Sequence, residues 1–181
     1  MKARHLFASL LTGLLSLAGC GKPAAAPPAA EIDPVYGHLL HAQPRLPALK
    51  LSVGGQETTA ELARQKVEIA TGMMFRTNLL ENESMLFVFP DAAPRSFYMR
   101  NCFVPLSGAY LSPAGEILQI IDMKPHDETG IPSLSENIQF VLEAPEGWFA
   151  RHHVGLGAIV RTERGSLRET FFGSNPPPAN P

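Results

Sequence analysis

Cysteine is nearly absent. Cys20 and Cys102 are the only two in 181 residues, which excludes a disulfide framework. No apolar run reaches the roughly 20 residues a membrane-crossing helix needs. There is no excess of positive charge: fifteen Lys and Arg stand against seventeen Asp and Glu, for a formal net charge of −2. No basic excess is available to neutralise a phosphate backbone, so nucleic acid is not an expected partner. The sequence also lacks Gly-x-Ser-x-Gly, a phosphate-cradling glycine loop, Cys-x-x-Cys and His-Glu-x-x-His. These absences argue against hydrolase, nucleotide-binding, thioredoxin-like and zinc-protease chemistry, and no cofactor is implied. What is present is 45% hydrophobic and 18% charged residues, enough for one ordinary core and too apolar for a disordered chain.

The N-terminus reads as an address. Lys2 and Arg4 precede an apolar run from Leu6 to Ala18, which suits a signal-peptide core. The run ends in Leu17-Ala18-Gly19-Cys20, which resembles a bacterial lipobox. That resemblance implies a diacylglyceryl group on the Cys20 sulfur, cleavage before Cys20 and acylation of the new N-terminus. Several acyl chains together anchor stably where one alone is marginal. Gly21 in place of an acidic residue points to the outer membrane, facing the periplasm. Cleavage removes two of the fifteen basic residues and no acidic one, leaving thirteen against seventeen, a formal −4. The expected attachment to the membrane is therefore through lipid and not through a basic surface.

Four segments follow: a signal peptide at 1–19, a lipidated cysteine and Pro/Ala-rich tether at 20–47, one globular body at 48–173 and a disordered tail at 174–181. Pro23, Pro27, Pro28, Pro34, Pro44 and Pro47 deny the tether a ladder or a regular helix. The i, i+3 pair His38 and His41 would serve a metal only on a helix, which those prolines disfavour. Within the body Leu49, Leu51 and Val53 alternate as a half-buried strand, and Gly54-Gly55 turns it into a return strand through Leu62 with Glu57 and Glu61 facing out. A helix is expected over about 64–74, ending near Gly72. Met85-Leu86-Phe87-Val88-Phe89 reads as a strand covered on both faces. Further strands are expected at 96–102, 108–112, 116–123, 138–142 and 158–162, with a helical turn carrying Trp148 and Phe149. This pattern predicts an α+β fold: a compact, mostly β body with a strongly curved sheet or partial barrel and one or two short helices.

Gly72-Met73-Met74-Phe75-Arg76, Met85 to Phe89, Ser96 to Leu106 and Val141-Leu142-Glu143 together resemble the motifs of the family named domain of unknown function 192. The resemblance spans about residues 50–162 and implies a compact, mostly β domain, often exported or lipid-anchored, with no assigned activity. This chain departs from the family pattern in three places. Ser107 stands where the family has aspartate, Ala158 where it has the aspartate of Gly-Asp, and Cys102 where it has threonine. No carboxylate or nucleophile role passes to these positions.

The candidate pocket residues are Arg76, Met99, Asn101, Asp122 and Glu143. Alternation along a strand at 97–102 would put Phe97, Met99 and Asn101 on one face and Tyr98, Arg100 and Cys102 on the other. Arg76 could hold a carboxylate or phosphate ligand, or pair structurally with Glu143 or Asp122 while Asn101 ties loops together. Asp122 and Glu143 could form an acid–base pair if their surroundings separate them. Cys102 could be a buried hydrophobe, a redox thiol, or a nucleophile served by His126, His152 or His153. Met73, Met74, Met85, Met99 and Met123 with a histidine would suit Cu(I), though they fall at core positions. The leading expectation is a lipid-anchored envelope protein whose body binds a ligand or a protein. The alternatives are a small enzyme with an Arg/Asn/carboxylate pocket, and Met/His copper binding.

Overall fold

The computed structural model describes residues 31–173. The expected signal peptide, Cys20, the first part of the tether and the tail lie outside the described residues. Ala48–Val53 forms β1 and Gln56–Ala63 forms β2, joined at Gly54-Gly55 as the sequence implied. Both glycines have positive φ, the backbone a two-residue hairpin turn needs. β2 then pairs in parallel with β3, Glu83–Ala93. A parallel pair requires a crossover, and α1, Lys66–Thr71, lies within it. The Glu68 carboxylate reaches back to accept the Arg64 and Gln65 N–H groups and starts this helix.

The centre of the sheet is the antiparallel set β3, β8 (Ile138–Pro145) and β5 (Leu106–Leu111). β5 and β8 are buried almost throughout and β3 is buried over Ser84–Phe89, as their continuous apolar runs require. β6, Ile117–Met123, pairs beyond β5, and β9, Val160–Thr162, pairs beyond β1. β10, Gly165–Ser166, pairs with β9 and leads into α3, Leu167–Phe172. α2, Trp148–Arg151, supplies the expected turn with Trp148 and Phe149. β4, Ser96–Phe97, and β7, Ile131–Pro132, form a separate two-stranded ribbon. The main sheet runs β10-β9-β1-β2-β3-β8-β5-β6.

Two expectations about the fold are corrected. The sheet is neither a partial barrel nor strongly curved: it is open, with β10 and β6 at its edges among the described residues. The reason lies at those edges. β9 has three residues and β10 two, against seven in β6. They are too short to make a closing ladder: one isolated bridge, Glu116 to Ile159, and a few backbone hydrogen bonds between residues 115–117 and 157–160 join the segments there without extending into paired strands. Helix content is also higher than expected, with three short helices among the described residues rather than one or two.

Two hydrophobic clusters cover the two faces of the sheet. One gathers Leu51, Leu86, Leu111, Phe140 and Leu142 under Trp148, Phe149 and Leu167. The other gathers Met73, Met74, Met85, Phe87, Met99, Tyr110 and Val141, with Ile69 of α1 packed against it. All five methionines of the body lie in this second cluster, filling gaps as flexible apolar side chains do.

Residues 31–47, which the prolines suggested were tether, lie on the body. A turn anchored by Asp33 brings Ile32 and Leu39 into a bridge. The Leu39 N–H donates to Thr71 Oγ1 at 2.9 Å, and Gln43 Nε2 donates to the Gly72 carbonyl at 2.8 Å. His38 is buried there, with Nδ1 on the Leu39 carbonyl at 2.7 Å.

Candidate functional site

The expected pocket residues do not gather in one place. Arg76 is buried and makes a bidentate pair with Glu61, at 2.6 and 2.8 Å. Neither Glu143 nor Asp122 is its partner. Glu61, expected to face solvent, is itself buried and also accepts from Arg45 and from the Leu46 N–H. Burial pushes the Glu61 carboxyl upward, but these hydrogen bonds, led by Arg76, outweigh it and hold the group below its ordinary value. Asp122 lies apart from both, accepting a short hydrogen bond from Ser107 Oγ, which in turn accepts the Gly147 N–H at 2.8 Å. The serine at the family's aspartate position thus ties β5 and β6 to the start of α2.

The strand expected at 96–102 stops at Phe97. The chain then turns. Met99 accepts the N–H groups of Cys102 and His126 on its carbonyl, and Asn101 sits at φ 56°. Strand alternation therefore fails here, and Phe97, Tyr98 and Cys102 all reach the same cavity. Met99 is fully buried in the core beneath them. Asn101 acts through its backbone, whose carbonyl accepts the Phe75 N–H at 2.7 Å.

Of the five expected residues only Glu143 lines the cavity, which has a volume of about 550 Å³. This is the size of a small-molecule site. Its walls come from the four quoted motifs: Gly72, Met73 and Met74; Phe87 and Phe89; Ser96, Phe97, Tyr98 and Cys102; and Glu143. Val35 and Tyr36 of the docked segment complete it. Gly72 has φ +48°, and a Cβ there would stand 3.1 Å from Phe87 Cζ. The glycine therefore lets the end of α1 sit directly against the cavity wall.

Glu143 belongs to the β8 face that carries Val141 rather than the Phe140 and Leu142 face. It lies in register with Met85 of β3 and Gly108 of β5. It is only 5% exposed. No hydrogen bond or ion pair offsets its burial among the described residues, and burial alone pushes its carboxyl to about 8. The same desolvation, with Glu143 as a neighbouring charge, pushes the Cys102 thiol and the Tyr110 phenol each to about 12. Cys102 is therefore a protonated, buried thiol rather than an activated nucleophile.

The remaining expected groups lie elsewhere. His152 stacks on Trp148 and meets Glu81, while His126 packs on Phe103. No group of three or more His, Cys, Asp or Glu side chains converges among the described residues. Sequence reading missed the aromatic walls formed by Tyr36, Phe87, Phe89, Phe97 and Tyr98. The density of Phe and Tyr within 87–98 was the available signal.

A family model described as DUF192, an uncharacterized ACR, matches residues 49–162. No curated protein matches the chain. Solved structures similar to it include the following two. One, from Sinorhizobium meliloti, is described as a candidate transcription regulator; it is 26% identical, covers 67% of this chain and 98% of its own, and has a TM-score of 0.63. The other is a protein of unknown function from Novosphingobium aromaticivorans; it is 32% identical, covers 76% of this chain and 94% of its own, and has a TM-score of 0.61.

Proposed function

The chain belongs to the DUF192 family, and we propose that this member is a small-molecule-binding protein, held at the bacterial cell envelope by lipid on Cys20. The observation that carries the binding reading is Glu143. Leaving a carboxyl without a partner in an apolar interior costs several kcal/mol as an ion and about 1–3 kcal/mol as a neutral acid. Glu143 carries part of that cost: it is 5% exposed, has no hydrogen-bond partner in the protein among the described residues and lies on the wall of a cavity of about 550 Å³, where a ligand can complete its bonding. Apolar walls with one or two convergent polar groups are the usual form of such a site.

An enzymatic reading has less support. It needs Arg76, Asn101, Asp122 and Glu143 around one cleft, and Arg76 and Asp122 are already occupied by Glu61 and Ser107. The regulator description of the Sinorhizobium structure is not carried over, because seventeen acidic residues against fifteen basic ones give no electrostatic footprint for DNA.

The anchor rests on the run from Lys2 to Cys20, and Gly21 supports the outer membrane, periplasmic side. Replacing Cys20→Ser is expected to give protein that takes up no acyl label and leaves the membrane fraction. Unchanged labelling in that variant would refute the anchor. For the site, the full chain carrying Cys20→Ser can be titrated with N-phenyl-1-naphthylamine, whose fluorescence rises in apolar surroundings. Saturable binding is expected, and Ala70→Trp, which fills the cavity from α1, should weaken it at least tenfold. Absence of saturable binding, or indifference to Ala70→Trp, would overturn the pocket reading.

A further inference from the structure

We propose that the occupant of this cavity is an organic amine, entering as its ammonium and donating N–H groups to Glu143. This rests on the pocket reading above and adds the chemical class of the ligand.

The polar inventory of the cavity leads there. Among the described residues, Glu143 is the one acidic residue lining it, buried and without a protein donor. Cys102, its neighbour, is a weak donor buried by the same walls. Arg95, the one cation at the lining among the described residues, is already engaged. Its Nη2 donates to the Asp91 carbonyl at 2.6 Å and the Asp91 carboxylate at 3.1 Å, and its Nε to the Ile138 carbonyl at 3.4 Å. A ligand carboxylate would therefore compete with Asp91 at the lip and meet a neutral Glu143 inside, gaining one acid hydrogen bond and no ion pair. A ligand ammonium supplies the donors that Glu143 lacks.

The walls suit a cation as well. Aromatic faces attract positive charge, most strongly where water is excluded. Two of these rings already do so within the chain: the Arg95 guanidinium lies 4.0 Å from the Phe89 centroid, and that of Arg100 lies 4.0 Å from the Tyr36 centroid. Phe97 stands between Phe87 and Tyr110, edge to face at 4.9 and 6.0 Å. This holds the inner aromatic wall rigid at little entropic cost to binding.

Binding has a proton balance. With its carboxyl raised by burial, Glu143 is mostly neutral at pH 7 in the empty protein. The incoming ammonium keeps its proton, Glu143 ionises to meet it, and one proton leaves to buffer. Burial raises the other acidic groups there, Cys102, Tyr98 and the neighbouring Tyr110, so they keep their protons at that pH; Tyr36 and Arg95 also line the cavity.

The test uses the full chain with Cys20→Ser and three probes of one shape: 2-phenylethylamine, 2-phenylethanol and 3-phenylpropionate. Calorimetry at pH 7 in buffers of different ionisation enthalpy should show the amine binding at least tenfold tighter than the alcohol. The propionate should bind most weakly, and close to one proton should be released per amine bound. Glu143→Gln should erase the amine preference and the proton release while leaving the alcohol nearly unchanged. Equal binding of amine and alcohol, or an amine preference that survives Glu143→Gln, overturns the amine assignment and leaves the pocket standing if N-phenyl-1-naphthylamine still binds. If none of these molecules binds, both readings fall. Should Glu143→Gln not fold, the proton count in the parent chain decides, and amine binding with no proton released overturns the assignment.

Discussion

Phe75 donates its backbone N–H to the carbonyl of Asn101 at 2.7 Å, and both residues sit at positive φ, 62° and 56°. The bond joins the loop after α1 to the loop after β4, the two segments that roof the cavity. Asparagine tolerates the left-handed region better than other non-glycine residues, and β-branched residues tolerate it worst. Asn101→Val is therefore expected to destabilise the protein by about 1–2 kcal/mol, and Asn101→Gly to stay within about 0.5 kcal/mol of the parent. Denaturant unfolding checks both. Equal losses in the two variants would place the role of Asn101 in its side chain instead.

The Arg76–Glu61 pair sits with both side chains under a tenth exposed. Removing Arg76 leaves the buried Glu61 with only Arg45 and the Leu46 N–H as donors, so Arg76→Met should cost about 2–3 kcal/mol. The paired change Glu61→Leu with Arg76→Met should cost clearly less than the sum of the single changes, as a double-mutant cycle would show. The pair also shapes the acid limb of stability. Glu61 is held below its ordinary value in the fold. Its contribution is present above the unfolded carboxyl range, near pH 4.5, and disappears as pH falls through the lower folded value. Arg76→Met should flatten that limb.

Glu143 acts in the opposite sense. The folded carboxyl keeps its proton up to about pH 8, while the unfolded chain releases it near its ordinary value. Between those two points the folded state binds more protons, so stability falls as pH rises, and above about 8 it levels off. The penalty near pH 7 is about 3 kcal/mol. Glu143→Gln is expected to raise the unfolding midpoint at pH 7.5 and to leave it nearly unchanged at pH 4.5. A midpoint that rises equally at both values would separate the gain from ionisation.

Cys102 should behave as an inert thiol. With burial pushing it to about 12, almost none is thiolate at pH 8. Ellman's reagent should react with it at least a hundredfold more slowly in the native protein than in denaturant. Rapid native reaction would show that the loop over the cavity opens.

Much of the architecture could be read from residue order. The β1–β2 turn at Gly54-Gly55, the buried run of β3 and the end of α1 at Gly72 all follow from local rules about glycine and apolar patterning. The failures share one cause: long-range pairing. Glu61 looked exposed because its outward alternation is local, whereas Arg76 and Arg45 reach it from outside its strand. Ser96 to Cys102 looked like a strand because its residues suit one. Met99 donates its N–H to the Asp127 carbonyl and accepts the His126 N–H on its own carbonyl, and these bonds capture the segment as a loop instead. Glu143, a candidate from its motif, lies on the cavity wall, but the Arg76 that could have paired with it is held by Glu61, and the aromatic walls come together only in three dimensions.

The docked stretch before the first strand has a practical consequence for anyone preparing a soluble fragment. Cutting at residue 48, where the sheet begins, would strip away the side of the cavity built by Val35 and Tyr36 and leave Glu61 without Arg45. Such a shortened polypeptide could retain its sheet and still give misleading affinities, because its binding chamber would be missing a side. Fragments meant for ligand screening should start no later than Glu31.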